Sequence, residues 1–503
     1  MNKLPDGWRL TTLGDLLVAV VGGGTPPRNM PAYFNGTIPW FTVKDMKSLR
    51  PSDAQEHITE AAILNSATNL VPANTLIVAT RIALGRAIRP KVKCAINQDL
   101  KAIFPAKGID VEFLLYWIEA HARYIQNLGS GTTVSGIRLE ALHGLPLFLP
   151  PQTEQTRIVA KLEELLSDLD AGVAELKAAQ KKLTQYRQSL LKAAVEGALT
   201  AEWRQHNPPQ ETGAQLLERI LTERRARWEA KQLAKFASQG KAPPKDWESK
   251  YPAAVAPDVA GLPELPHGWV WSSIGQCFHV AVGATPSRKE PSYWGGDIPW
   301  VSSGEVRFSR ITGTREMIAE AGLNNSSTHI NPIGSVLLGM IGEGKTRGQV
   351  AILDVEAANN QNCAAIWVAE TGIASEYVYY WLWSQYEQTR KGSSGNNQPA
   401  LNKSIVERIP FPLPPLDEVN VIAEAVDSAL ESTSMQERAI EISLKQSTAQ
   451  RQNILRAAFS GQLVPQDPSD EPASRLLERI RTERAAQASV PKVRKARAVK
   501  GVA

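Results

Sequence analysis

The most recognisable chemistry in this chain lies in Gly339-Met340-Ile341-Gly342-Glu343-Gly344-Lys345-Thr346, whose spacing fits a phosphate-binding P-loop. A P-loop needs a helix directly after it, because the free amides at the start of that helix bind the phosphate. Residues 347–353 instead predict a turn and then a strand. We therefore interpret the segment as a glycine-rich turn that offers Lys345 and Arg347 to a phosphate. A nucleotide-dependent enzyme that uses residues 339–346 is kept as an alternative.

Other catalytic patterns are missing from the sequence. Asn207-Pro208-Pro209-Gln210 is similar to the adenine-binding motif of methyltransferases, but the aromatic residue that stacks on the base is absent. No zinc-protease or serine-hydrolase motif occurs, and the seven histidines are dispersed. The acidic pairs Glu163-Glu164 and Asp417-Glu418 are expected on solvated helix faces or at helix starts. The sequence thus predicts no catalytic residue, no cofactor-binding residue and no metal ligand.

One module occurs twice in the sequence. Ile38-Pro39-Trp40 returns 260 positions later as Ile298-Pro299-Trp300, and the turn Thr25-Pro26 before it returns as Thr285-Pro286. A fixed-period repeat is the signature of a repeated structural unit. We therefore expect two copies of one domain that do one physical job at two places on a partner.

Each copy opens with about 150 residues in which turns separate short apolar runs. Residues 75–80 and 335–338 predict strands, and residues 111–119 and 375–384 predict helices. This mixture indicates an α/β (mixed α+β) globular domain in two copies. The two copies together predict an internal pseudo-two-fold repeat.

A proline-rich stop ends each domain, and a long segment with a heptad pattern follows it. From about Thr153 to Ala194 there is no proline, and a leucine recurs every seven residues. At about 1.5 Å per residue, such a helix is about 60 Å long and needs a partner. We expect the two long helices to pair antiparallel as a coiled coil, to hold the domains apart, and to end near Gly197 and Gly461.

The seam of this coiled coil is predicted from the heptad positions. The second seam position of the first helix holds Leu165, Ala179, Tyr186 and Ala193. The principal seam residues are Leu162, Leu169, Leu176, Leu183, Leu190, Val426, Ile440 and Ile454.

Composition and charge limit the class of protein. The chain has 503 residues, 43% of them apolar, and no apolar run approaches the roughly 18 residues that span a bilayer. The three scattered cysteines favour a reducing cytoplasm. Residues 222–250 and the tail from Arg484 onward carry more than the whole net charge of +5. The repeated domains would therefore bind nucleic acid through local patches rather than a global positive field.

The order of domain, proline stop and long helix, repeated once, resembles the specificity subunit of type I restriction-modification enzymes. The residues that carry the resemblance are Gly22-Gly23-Gly24-Thr25-Pro26 with Ile38-Pro39-Trp40, their repeats, and residues 147–155 at the start of the first long helix. The second copy departs from the family pattern, because Asp417-Glu418-Val419-Asn420 replaces the usual Glu-Gln. The resemblance extends from Leu4 to about Leu463.

The resemblance implies a non-catalytic subunit that binds double-stranded DNA with a bipartite target. Modification (methyltransferase) subunits and restriction (motor and nuclease) subunits are the implied partners, with no membrane. S-adenosylmethionine, ATP and magnesium are implied for those partners and not for this chain. A coiled-coil protein scaffold remains a further alternative. The implied parts are target recognition domain 1 (1–151), a first long helix (152–200), a short helix with a Lys/Pro-rich linker (201–264), target recognition domain 2 (265–415), a second long helix (416–463), and a short helix with a basic, disordered tail (464–503).

Polar residues in matched loops are the candidates for DNA contact, because such side chains bind base edges and phosphates. In the first copy they are Thr25, Arg28, Lys44, Arg81, Arg86, Ser130, Thr132, Thr133 and Arg138. In the second copy they are Thr285, Arg288, Ser303, Lys345, Arg347, Asn396, Asn397, Gln398 and Lys403.

Overall fold

The computed structural model describes residues 4–130, 136–342, 345–391 and 401–488. By their contacts the residues divide into a first unit, Met1–Lys177 with Glu441–Ala503, and a second unit, Ala178–Ile440. Each unit contains one globular domain and parts of both long helices. The predicted fold class is confirmed, since mixed α/β domains occur in two copies together with two long helices.

The first domain begins with short strands and ends with the first long helix. Its strands are β1 (Arg9–Thr12), β2 (Leu17–Gly22), β3 (Ile38–Phe41), β4 (Glu56–Ile58), β5 (Leu70–Val71), β6 (Leu76–Ala79), β7 (Ala87–Ile88), β8 (Cys94–Ile96), β9 (Leu100–Pro105) and β10 (Pro146–Leu149). The helices up to the second domain are α1 (Glu60–Leu64), α2 (Val111–Ala120), α3 (Ala122–Asn127), α4 (Leu139–His143), α5 (Gln152–Val195), α6 (Ala201–His206) and α7 (Gly213–Ser238).

The second domain repeats this order with small changes. Its strands are β11 (Val270–Ser273), β12 (His279–Val282), β13 (Trp294–Val301), β14 (Ser309–Ile311), β15 (Glu316–Ile318), β16 (Val336–Gly339), β17 (Val350–Leu353), β18 (Ala358–Asn359), β19 (Cys363–Trp367) and β20 (Pro410–Leu413). The helices are α8 (Ile274–Cys277), α9 (Glu320–Asn324), α10 (Ser375–Ser384), α11 (Tyr386–Lys391), α12 (Lys403–Glu407), α13 (Leu416–Phe459) and α14 (Ala473–Ala488).

Three sheets form each domain. In the first, β1 pairs with β10, a second sheet has the order β2-β9-β6-β7, and a third has the order β4-β3-β8-β5. In the second, β11 pairs with β20, and the other orders are β12-β19-β16-β17-β14 and β15-β13-β18. In both domains the sheet that carries the Ile-Pro-Trp strand includes one parallel pair, β3 with β8 and β13 with β18. The strand ends of this pair position the turns described below.

The main core of each unit joins its domain to both long helices. In the first unit the fully buried Trp117 and Phe113 of α2 belong to one cluster with Leu162 of α5, Leu455 of α13 and Leu476 of α14. In the second unit the same cluster type contains residues of α10, of the end of α5, of the start of α13 and of α7. Because the start of one long helix and the end of the other meet in each unit, the two helices pair antiparallel within each unit, as predicted.

The predicted seam residues are buried to different extents along the two helices. Leu162, Leu190 and Val426 are buried. Leu169, Leu176, Leu183 and Ile454 are only half-buried, whereas Ile440 is buried.

The prediction for Tyr186 is wrong, because its side chain is 52% exposed rather than in the seam. The predicted helix ends are confirmed, since Gly197 and Gly461 follow α5 and α13 with left-handed φ angles of 72° and 74°. The stretch that resembles a P-loop is also as predicted: strand β17 follows its turn, and residues 345–349 contain no helix. The helix that a nucleotide site requires is therefore missing.

Glu418 lies in the first turn of the second long helix, which is one of the two positions expected for it, and it is buried there. Glu418 is 1% exposed, not solvated, and it accepts a hydrogen bond from Trp269 Nε1 at 2.8 Å. Glu154 accepts the equivalent bond from Trp8 Nε1 at 3.0 Å in the first unit. The second copy thus keeps the family glutamate, and its departure is confined to the next residue, where the buried Val419 replaces Gln155.

Candidate nucleic-acid interface

The Thr-Pro turns of both domains are pressed against the loop that follows a buried strand. A Cβ atom added to Gly23 would lie 2.1 Å from the carbonyl oxygen of Asn97, and one added to Gly283 would lie 1.8 Å from that of Asn359. No side chain fits at such distances, so only glycine allows this approach. The sequence repeat therefore preserves a close contact of two backbones.

The tryptophans of the Ile-Pro-Trp motifs hold the same turns in place through hydrogen bonds. Trp40 Nε1 donates to the carbonyl of Gly24 at 3.1 Å, and Trp300 Nε1 donates to that of Ala284 at 3.0 Å. Both indoles are almost fully buried. A buried indole N–H requires an acceptor, so each tryptophan fixes the position of its turn.

An exposed glutamine lies at the tip of the opposing loop in each domain. Asn97 is buried, and its Oδ1 accepts the backbone N–H of Asp99 at 3.1 Å. Asn360 makes the same turn, with its Oδ1 accepting the backbone N–H of Asn362 at 3.1 Å. Between these residues Gln98 and Gln361 face solvent.

The hydroxyl of each Thr-Pro turn binds this glutamine. Thr285 Oγ1 donates to Gln361 Oε1 at 2.6 Å, and Thr25 Oγ1 makes the equivalent bond to Gln98 Oε1. Among the hydrogen bonds between described residues, none uses Nε2 of either glutamine. Each domain therefore holds one amide oxygen and leaves the amide nitrogen free to donate.

Arg28 and Arg288, two of the predicted contact residues, are engaged within their own domains. Arg28 forms an ion pair with Glu56 at 2.6 Å and covers the ring of Trp40. Arg288 forms the same pair with Glu316, and its hydrogen bond lowers the pKa of that carboxyl. These arginines stabilise the packing around the tryptophan, and they also place a positive charge at the surface.

Four predicted residues of the first domain gather around the turn after β6. Arg81 is half-exposed, lies 3.5 Å from Asp99, and its backbone pairs with Gly136. Ser130 pairs with the same glycine through two backbone hydrogen bonds of 3.0 Å. Arg86 and Lys44 line one shallow groove with the exposed Ile82. Arg138 is the residue before α4, and the preceding Ile137 donates its backbone N–H to the carbonyl of Thr80 at 2.9 Å.

The second domain places different residues at the matching turn. Lys345 is exposed, and its carbonyl accepts a bond of 2.9 Å from Tyr386 Oη. Arg347 is half-buried, with Nε unpaired among the described residues. Lys403 opens α12 and Ser303 opens a short 3-10 helix. The candidates Thr132, Thr133, Asn396, Asn397 and Gln398 lie outside the described residues.

Gln98 and Gln361 were not among the predicted residues. The signal was present, because Asn97-Gln98 returns 263 positions later as Asn360-Gln361. It was overlooked because the surrounding residues differ and two polar residues in a loop have no periodicity. Within the described ranges, no group of three His, Cys, Asp or Glu side chains is placed to hold a metal ion. None of the helices described combines the length and apolar character needed to cross a membrane.

The fold and the repeated turn define a protein with a duplicated mixed α/β module and two long helices. The family described as Type I restriction modification DNA specificity domain matches residues 5–180 and again residues 266–446. These matches cover most of the chain, which therefore belongs to this family. Its two globular domains are DNA specificity domains of the type I restriction-modification class.

Individual relatives agree with this assignment. The EcoDI specificity subunit of Escherichia coli is 24% identical over 389 residues, which cover 75% of this chain and 78% of that protein. The EcoKI specificity subunit of Escherichia coli K12 is 20% identical over 507 residues, which cover 96% and 97%. A match of 32% identity to another specificity subunit of Escherichia coli spans only 45% of that protein. A solved chain of a type I R-M system has the same fold, with a TM-score of 0.64, 17% identity, and coverage of 92% and 100%.

Proposed function

We propose that each of the two globular domains reads one half of a bipartite DNA target. The observation that supports this most directly is that the two domains share the arrangement around the Thr-Pro turn but differ in the residues of nearby loops. Both domains build the same glycine approach, indole bond and exposed glutamine. The cations in the turns after β6 and β16 differ, with Arg81 and Arg86 in the first domain and Lys345 and Arg347 in the second. Two domains with the same backbone arrangement but different loop residues are suited to a DNA target whose two halves differ in sequence.

The division of labour that we propose follows the sequence. Residues 1–151 and 265–415 contact DNA, and the candidate contact residues named above supply the base and phosphate contacts. Residues 152–200 and 416–463 set the spacing of the half-sites and bind modification subunits. The segments 201–264 and 464–503 complete the chain beyond each long helix.

The chain itself is proposed to perform no covalent chemistry. Methyl transfer, with S-adenosylmethionine, belongs to modification subunits, and ATP-driven translocation and cleavage, with magnesium, to restriction subunits. The similar solved chain belongs to a type I R-M system that assembles as a complex, and the similar EcoDI protein is the specificity subunit of a type I restriction enzyme. The proposed site of action is the cytoplasm, where DNA and these partners meet.

The deciding experiment is methylation sequencing of a plasmid library exposed to the chain with and without its modification subunits. The assembled complex should methylate one interrupted sequence, and the chain alone should methylate nothing. Methylation or cleavage by the purified chain alone would overturn the proposal. A footprint to which residues 1–151 and 265–415 contribute nothing would favour a protein scaffold instead.

The role of the helices can be tested separately. Seven residues, about two helical turns or roughly 10 Å, would be inserted at matched points in α5 and α13. The gap between methylated half-sites should lengthen, while the sequence of each half-site stays the same. An active complex with unchanged spacing would contradict the spacing role.

A further inference from the structure

We propose that Gln98 and Gln361 each donate an Nε2 hydrogen bond to a phosphate oxygen of the DNA backbone. These two bonds would dock the domains in the same register on the duplex, whatever bases their loops read. The inference rests on the proposed function, because it requires that the two domains bind DNA.

The first support is that each glutamine is exposed and yet oriented. An exposed glutamine ordinarily samples many rotamers, and ordering it on binding costs free energy. Here the hydroxyl of Thr25 or Thr285 binds Oε1 and so holds the amide, while Nε2 takes part in no hydrogen bond among the described residues. The loop beneath is fixed as well, since Asn97 N donates to Phe41 O and Asn360 N donates to Val301 O, both at 3.0 Å.

The second support is the chemistry of the free group. The amide nitrogen has two hydrogens and no lone pair to offer, so its ligand must be an acceptor. Phosphate oxygens are the most frequent acceptors for such side chains on DNA. In the first domain the neighbouring Asp99 does not compete for this amide, because Asn97 Nδ2 donates to it at 3.0 Å and Arg81 lies beside it.

The third support is that the arrangement is the same in both domains. A residue that distinguishes bases should differ between domains that read different half-sites. The glutamine, its threonine, the glycine approach and the asparagine turn are all repeated, whereas the cations in the turns after β6 and β16 are not. The shared element therefore fits a ligand that is the same in both half-sites, and the backbone meets that requirement everywhere.

The experiment uses the chain assembled with its modification subunits and duplexes that carry the target. Gln98→Ala, Gln361→Ala and the double variant are compared with the wild type on the target and on targets with one base pair changed. Loss of one hydrogen bond of ordinary strength corresponds to about 3- to 10-fold in Kd. Each single variant should lose this factor equally on every duplex, and the double variant should lose approximately the product.

Duplexes with one neutral methylphosphonate identify the contacted phosphate. The wild type should lose affinity when that phosphate is neutralised, whereas Gln98→Ala should lose little more at the same position. Thr25→Val should behave as a weaker form of Gln98→Ala, since valine has no hydroxyl to bind Oε1. Melting temperatures within about 2 °C of the wild type would show that folding is intact.

The outcomes separate the two ideas. A wild-type complex without a sequence-specific footprint would overturn the proposed function and this inference together. A wild type that binds while both glutamine variants bind equally well would overturn the inference alone. A variant with altered base preference at one position would also overturn it, because the amide would then read a base.

Discussion

The glutamates at the starts of the two long helices occupy the same place and have different neighbours. In the first unit Glu154 accepts bonds from Trp8 Nε1 at 3.0 Å and Gln466 Nε2 at 3.3 Å, both neutral donors. In the second unit Glu418 accepts from Trp269, from Thr200 at 2.6 Å and from Arg204 Nη2 at 2.8 Å.

Both carboxyls are 1% exposed, so burial alone does not distinguish them. A buried carboxylate held by neutral donors keeps its desolvation cost, whereas one paired with arginine has that cost offset by the opposite charge. The same junction of domain and helices is thus stabilised by hydrogen bonds in one unit and by a salt bridge in the other.

Removing the charge of the glutamate should have the largest effect and should affect the second unit more. Glu418→Gln leaves Arg204, whose side chain is only 18% exposed, without a counter-charge. We expect a loss of about 3 kcal/mol in the free energy of unfolding. Glu154→Gln keeps neutral partners and should cost about 1 kcal/mol or less. Hydrogen exchange of residues 416–426 and 152–162 measures the two losses locally.

The double variant Glu418→Gln with Arg204→Met is the control for this difference. It removes the isolated cation and should regain most of the lost stability. Equal losses for the two single glutamine variants would show that the salt bridge does not distinguish the units.

Arg451 in the first unit and Arg187 in the second form a further matched pair, and their substitution tests the difference between the two units with a smaller expected effect. Arg451 forms an ion pair with Asp170 and lies 3.9 Å from Glu119, whose pKa is raised by burial. Arg451→Met should cost about 2 kcal/mol, because Glu119 loses the nearest cation. The equivalent Arg187 pairs with Glu437 at 2.7 Å and lies over the ring of Trp383, and Arg187→Met should cost about 1 kcal/mol.

Urea denaturation followed by hydrogen exchange in each unit would measure these two costs. The added variant Glu119→Gln should restore stability to Arg451→Met, since it removes the unpaired carboxylate. If Arg187→Met proved the more damaging of the two, the aromatic contact would outweigh the buried acid and the comparison would be reversed.

The repeated turns and the long helices could be predicted from the sequence, because both produce residue patterns at a fixed spacing. The extents of the long helices and the glycines at their ends follow from the heptad pattern and the proline stops, which are visible in short stretches of the sequence. The heptad pattern also predicts that the two helices pair antiparallel. The burial of Glu418 could not be predicted, because its partners Arg204 and Trp269 lie 214 and 149 residues away in the chain. Long-range pairing of that kind has no period, so only the folded chain reveals which acid is buried.

For the candidate site, too, residue types could be predicted from the sequence, but contacts between distant residues could not. Thr25, Arg81 and their loop neighbours were found from residue type, and the structure gathers several of them. The ion pair of Arg28 with Glu56 and the turn that displays Gln98 depend on strands β3, β4 and β8 meeting in one sheet. A residue's type indicates what it can bind, whereas tertiary contacts decide whether that capacity is already used.

The pH dependence of the first unit should reveal the buried Glu154. Burial raises the pKa of this carboxyl above its ordinary value of 4.5, against the hydrogen bonds from Gln466 and Trp8. The folded state thus binds the proton more tightly than the unfolded state. Its stabilising effect is complete below about pH 4.5 and is lost as pH rises through the raised pKa.

Glu154→Gln should therefore gain stability relative to the wild type as pH increases from 4.5 toward 8. Unfolding free energies at five pH values in this range would measure the trend. A constant difference between Glu154→Gln and the wild type would contradict a raised pKa at this position.

The smallest expected effect concerns one of the matched positions at which the two long helices differ. Gly172 lies in the middle of α5, and a Cβ atom added there would meet nothing within 4 Å. Gln436 occupies the equivalent place 264 residues later in α13. Gly172→Ala should raise the free energy of unfolding by about 0.5–1 kcal/mol, because glycine loses more backbone entropy in a helix.

Gln436→Ala should change stability much less, since both residues favour helices. Thermal melting of the two variants side by side would measure the contrast. If Gly172→Ala were neutral or destabilising, flexibility at Gly172 would be a requirement of the first helix that the second helix does not share.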